Sequence, residues 1–144
     1  LSDNVSTLRI LFGKLLAIIA PKSGIVPINP TKVSRDERVV KAYMHDPLIY
    51  KGKATARLAS EILKAMSRVK AGASQIKLPL LILQGTADVI VNPNGAKQLY
   101  ESVSSSDKTL KLYEGLYHEV FNEPEKEQVF EDLQQWLLTH DSLN

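Results

Sequence analysis

Residues 80–83, Leu-Leu-Ile-Leu, form an unbroken apolar run that stops at Gln84-Gly85 and leads into Thr86-Ala87-Asp88. A short apolar run with no polar face reads as a strand buried on both sides, the pattern of a parallel sheet. Residues 109–113 alternate instead, with Leu110 and Leu112 on one face and Thr109, Lys111 and Tyr113 on the other. That suits a strand nearer a sheet edge. It stops at Glu114-Gly115 and leads through Leu116 and Tyr117 to His118. Between the two runs, residues 92–103 read as a helix with Asn92 as N-cap and Pro93 at its first position. The unit is β-loop-α-β-loop. A right-handed crossover places both strand ends, and with them Asp88 and His118, on one rim of the sheet. In open parallel sheets that rim is where ligand chemistry sits.

The same pattern exposes a shortage. Two parallel strands cannot cover both faces of a run like 80–83, and isolated two-stranded units are marginal. Further parallel strands are therefore expected before Leu1, making these 144 residues the back end of a larger α/β protein.

The rest of the chain reads as helical and irregular. Residues 6–19 carry Leu8, Leu11, Phe12, Leu15, Leu16, Ile18 and Ile19 at offsets of three and four, a helix with one greasy face. With Arg9 and Lys14 in it and Pro21 after it, this segment is too short and too charged to span a bilayer, which needs about 20 apolar residues. Residues 21–30, with three prolines and a glycine, read as an irregular connection. Ser34 reads as the N-cap of a short helix that Asp46-Pro47 ends. Residues 54–71 form the next helix, with Leu58, Ile62, Leu63, Met66 and Val69 on one side and Gly72 just beyond it. Asn122 reads as the cap of the last helix, Glu119, Glu123, Glu125 and Glu127 as a solvated helix start, and Val129, Phe130, Leu133, Trp136 and Leu137 as its buried stripe. The expected division is a helical cap and connection over residues 1–73 and a β-α-β-α core part over 74–144.

Composition mainly excludes. Eighteen basic against sixteen acidic residues leave no field that calls for nucleic acid. The absence of cysteine removes disulfides, thiolate metal sites and a cysteine nucleophile. His45, His118 and His140 have no metal-ligand spacing, no glycine-rich phosphate loop is present, and no cofactor is implied.

Taken singly, Asp88 is a turn residue and His118 a loop histidine. Taken together they are a carboxylate and an imidazole delivered by successive strands, acid first and base second. The α/β-hydrolase triad follows that chain order, after an earlier nucleophile. The carboxylate would fix the imidazole tautomer and stabilise the imidazolium formed when His118 takes the nucleophile's proton.

The motifs carry a resemblance. Asp46-Pro47-Leu48 with Tyr50-Lys51-Gly52-Lys53-Ala54-Thr55-Ala56-Arg57, then 79–88, then Tyr113-Glu114-Gly115-Leu116-Tyr117-His118 with Asn122-Glu123-Pro124 resemble the C-terminal half of monoacylglycerol lipase and lysophospholipase-like serine hydrolases. The resemblance implies the α/β-hydrolase fold, Asp88 as triad acid, His118 as triad base, and a lipid or small ester as substrate. It also implies that the greasy first helix of the cap helps form the acyl-chain entrance. The expected location is the cytoplasm, with that helix buried against protein as the plainer reading and a transient membrane-surface contact through the cap as the alternative. No Gly-x-Ser-x-Gly occurs in the 144 residues, so the nucleophile and oxyanion hole are expected on the missing N-terminal half, and this chain alone is expected to be inactive. Gln84 stands where the family often has His, and Phe121 where animal monoacylglycerol lipases have a second His. Two other readings fit the acid and histidine positions: an epoxide hydrolase or dehalogenase, or a non-catalytic binding module that keeps half of the fold.

Overall fold

The computed structural model describes residues 7–140, with side chains from residue 11 onward. Ser6 and the Leu8 and Arg9 side chains, part of the first helix's expected span, lie outside the described set.

Two parallel strands, β3 (Leu80–Gly85) and β4 (Lys108–Tyr113), form the sheet that carries the site. They run in register from Leu80 opposite Lys108 to Gly85 opposite Tyr113, so their carboxyl ends finish level. The crossover between them is α4 (Asn94–Ser102). Pro93 already has helical dihedrals, and the Asn92 side chain accepts from the Asn94 N–H at 2.9 Å. Asn92 is thus the functional cap, as its sequence position predicts.

Four helices flank this unit: α1 (Thr7–Ile19), α2 (Glu37–His45) and α3 (Ala56–Gly72) before it, and α5 (Lys126–His140) after it. Thr55 caps α3 by accepting from the Leu58 N–H at 3.2 Å. Residues 21–30 are not wholly irregular. Gly24–Val26 (β1) pairs antiparallel with Ala54–Thr55 (β2), two short strands that tie the start of α3 to the chain after α1.

Two capping assignments are corrected. Asp36, not Ser34, caps α2 by accepting from the Arg38 N–H at 2.8 Å. The Ser34 hydroxyl is instead turned to the carbonyl of Asn122 at 2.8 Å, a long-range partner that no local rule would favour. Asn122 does not cap α5, which begins at Lys126. It closes a 3₁₀ turn, Val120–Asn122, and its amide donates to Glu119. Glu123 is no solvated helix residue either: it is 1% exposed.

The buried core lies under the end of β4, where Tyr113, Leu116, Val120 and Val129 cluster and Leu83 packs against them. Away from it the expected stripes are only partly covered. Leu58, Ile62, Met66 and Val69 on α3, and Phe130 and Leu137 on α5, remain exposed, as do Leu11, Phe12, Leu15 and Ile18 on α1, the last at 78%. Among the described side chains of α1 the buried one is the small Ala17. Residues 80–84 of β3 are half-buried, less than their apolar run predicts. Two strands present too little surface to cover every stripe.

Candidate active site

The loop after β3 turns immediately at Gly85 and holds Asp88 three residues later; the loop after β4 holds His118. Three bonds lace the loops together: the Thr86 N–H to the Tyr113 carbonyl (2.9 Å), the Ala87 N–H to the Leu116 carbonyl (3.0 Å), and the Gly115 N–H to the Thr86 hydroxyl (2.9 Å). Gly115 makes the turn with φ of 75°, the left-handed region that glycine enters without strain.

Gly85 serves a different need. A Cβ there would overlap the carbonyl oxygens of Leu116 and Tyr117, both backbone atoms that cannot swing aside. Glycine lets the acid loop touch the histidine loop. Gly85→Ala should therefore force the loops apart and destabilise the fold by about 3 kcal/mol, the upper end for an overpacked methyl. A melting curve checks this, and an unchanged midpoint would contradict it.

Asp88 is 5% exposed, and its carboxylate is fully engaged. One oxygen, Oδ1, accepts from the Ile90 N–H (2.8 Å) and the Val91 N–H (2.9 Å). The other, Oδ2, accepts from Gln84 Nε2 (3.1 Å) and lies 2.9 Å from His118 Nδ1. Burial pushes the carboxyl up. The bonds from Val91, His118, Gln84 and Ile90 outweigh that and hold it below its ordinary value. An ionised carboxylate only accepts, so His118 Nδ1 must carry the hydrogen it donates. In the neutral ring this leaves Nε2 as the basic nitrogen. The His118 side chain is 37% exposed, so the ring reaches the surface while its orienting partner is buried. A carboxylate that fixes the tautomer and an accessible basic nitrogen make a proton acceptor.

The structure thus brings Asp88 and His118 together. Gln84, which stands where the family often has His, steadies Asp88 through its amide. Its place four residues before the acid, at the end of the strand, was the available signal. Phe121 is turned to α5, its ring 5.2 Å from that of Phe130.

The other histidines are placed elsewhere. His45 Nδ1 bonds the Lys41 carbonyl one turn back in α2. His140 Nε2 lies 2.8 Å from Asp107, just before β4 and so at the opposite end of that strand, and its Nδ1 bonds the Trp136 carbonyl. That pair ties the end of α5 to the strand. Among the described residues no group of histidines and carboxylates could hold a metal ion. Nor is any helix long and apolar enough to cross a membrane.

The model of the family described as serine aminopeptidase, S33, matches residues 2–125. A monoacylglycerol lipase of Mycolicibacterium smegmatis is 36% identical over 138 residues, 96% of this chain and 49% of that protein. The human monoglyceride lipase is 35% identical over 137 residues, 94% of this chain and 45% of that protein. The crystal structure of the Paleococcus ferrophilus monoacylglycerol lipase superposes with a TM-score of 0.84 at 33% identity, covering 96% of this chain and 55% of that one. The chain spans about half the length of the curated relatives it matches.

Proposed function

The chain belongs to the serine aminopeptidase, S33, family of α/β-hydrolases, and from that membership we propose that it is the acid-and-base half of a serine hydrolase for lipid-type carboxylic esters. The observation that carries the reading is the 2.9 Å bond between His118 Nδ1 and a buried Asp88 on neighbouring strand ends. Relatives named monoacylglycerol and monoglyceride lipases support the substrate class. Residues 1–73 act as cap and connection and residues 74–144 as the last β-α-β-α part of the core. The half-buried face of β3 is then covered by strands supplied from the other half of the hydrolase.

In this reading His118 Nε2 takes the proton from a serine hydroxyl as its oxygen bonds to the ester carbonyl. The resulting imidazolium, facing Asp88, returns the proton to the departing alcohol. Water then attacks the acyl-enzyme by the same route in reverse, releasing the acid and the free serine. Phe121, tilted against Phe130 of α5, offers no polar contact to a glycerol end, so the acyl chain carries most of the recognition. The apolar side chains exposed on α1 give the cap a face for transient, peripheral contact with a lipid surface, in a protein placed in the cytoplasm.

The test is turnover by the intact hydrolase that carries this chain. It should release fatty acid from a monoacylglycerol or a lysophospholipid, and p-nitrophenol from short acyl esters. Hydrolysis of an epoxide or a haloalkane with no ester turnover would contradict the proposal.

A further inference from the structure

His118 sits on an irregular loop, yet its ring must hold one position to within a fraction of an ångström. Asp88 and the acid loop fix one side of that loop. The other side is gripped by residues 32–35, which lie more than eighty positions earlier in sequence. The Glu119 N–H, next to His118, donates to the Val33 carbonyl at 2.8 Å. The Ser34 hydroxyl donates to the Asn122 carbonyl at 2.8 Å. The Arg35 N–H donates to Glu123 Oε1 at 2.8 Å, and Arg35 Nε to Glu123 Oε2 at 2.6 Å. Arg35 Nη2 pairs with Glu125, and Lys32 Nζ lies 5.3 Å over the Tyr117 ring. The contacts therefore begin one residue before His118 and continue past it.

This is a built joint rather than a surface pairing. Val33, Ser34 and Glu123 are all nearly inaccessible. A buried carboxylate with both oxygens engaged, one of them by a guanidinium, makes strong charge-assisted bonds of fixed direction. Ser34 is held in turn by the Asp36 N–H, which donates to its hydroxyl at 3.0 Å as α2 begins. Any displacement of α2 is thus passed to the loop that carries the imidazole.

We propose that Arg35 and Glu123 are positioning residues, which set the His118 imidazole by clasping its loop to the segment that enters α2. The proposal rests on the functional reading above. It makes the cap segment a determinant of the chemical step as well as of access. Misplacing a catalytic group by about 1 Å costs on the order of 100-fold in rate, and the clasp is what prevents that displacement.

The experiment uses the intact hydrolase, assayed well below its melting temperature. Glu123→Gln and Arg35→Met should each lower kcat by roughly 10- to 100-fold with KM nearly unchanged. Arg35→Lys, which keeps the charge and the backbone N–H, should recover most of the rate. In the same variants the downfield proton resonance of His118 Nδ1–H, sharp in the parent, should broaden. Folded Glu123→Gln with parental kcat and an unchanged resonance would overturn the proposal, as would a loss confined to KM or to melting temperature. If Glu123→Gln does not fold, Ser34→Ala and Arg35→Met carry the same readings. Asp88→Asn separates the two levels: full activity in that variant removes the functional reading, whereas its loss beside an unaffected Glu123→Gln removes the clasp alone.

Discussion

Replacing His118 by alanine in the intact hydrolase should lower kcat by about 10⁶-fold, and Asp88→Ala by about 10⁴-fold, the scale on which such groups act in serine hydrolases. The asymmetry follows from the geometry. His118 would accept and return the proton itself. Asp88, 5% exposed and bonded to Nδ1, would orient the ring and stabilise its charge without touching the substrate. Without Asp88 the ring can still act, in the wrong tautomer for much of the time. Without His118 there is no base for Asp88 to orient, so the double variant should be no slower than His118→Ala alone. Steady-state ester hydrolysis measures all three, and rates within tenfold of the parent would contradict both roles.

The second large effect concerns the 144 residues by themselves. Purified on their own, they should give no burst and no turnover with p-nitrophenyl esters, about 10⁶-fold below the intact hydrolase. The chain contains no Gly-x-Ser-x-Gly. Among the described residues, His118 is hydrogen-bonded to Asp88 and to no serine or threonine hydroxyl. An orienting acid and a base with no nucleophile between base and substrate have nothing to activate. A burst stoichiometric with this chain would contradict the division of labour.

Local rules made the centre of the molecule legible and failed toward its edges. The apolar run 80–83, the alternation at 109–113 and the Asn92-Pro93 cap sufficed for the parallel pair and its crossover, because each is decided within a few residues. Strand order then put Asp88 and His118 on one rim, where the structure has them 2.9 Å apart. The misses share a cause. Ser34 and Glu123 carry strong local signals, as an N-cap and a helix-start acid, yet both are claimed by partners more than eighty residues away. A long-range bond that buries a carboxylate beside a guanidinium outweighs a cap contributing about 1 kcal/mol. The β1–β2 pairing was hidden for a related reason, since two- and three-residue strands among prolines have no periodicity to read. Periodicity marks the apolar stripes on α1, α3 and α5 but cannot say what covers them, and Phe130 and Leu137 of the α5 stripe stay exposed.

Mass spectrometry of the intact hydrolase after reaction with a fluorophosphonate would locate the nucleophile that His118 serves. One adduct is expected, on a serine outside residues 1–144, formed far more slowly in the His118→Ala variant. An adduct on a serine within these 144 residues, or the same labelling rate without His118, would contradict it.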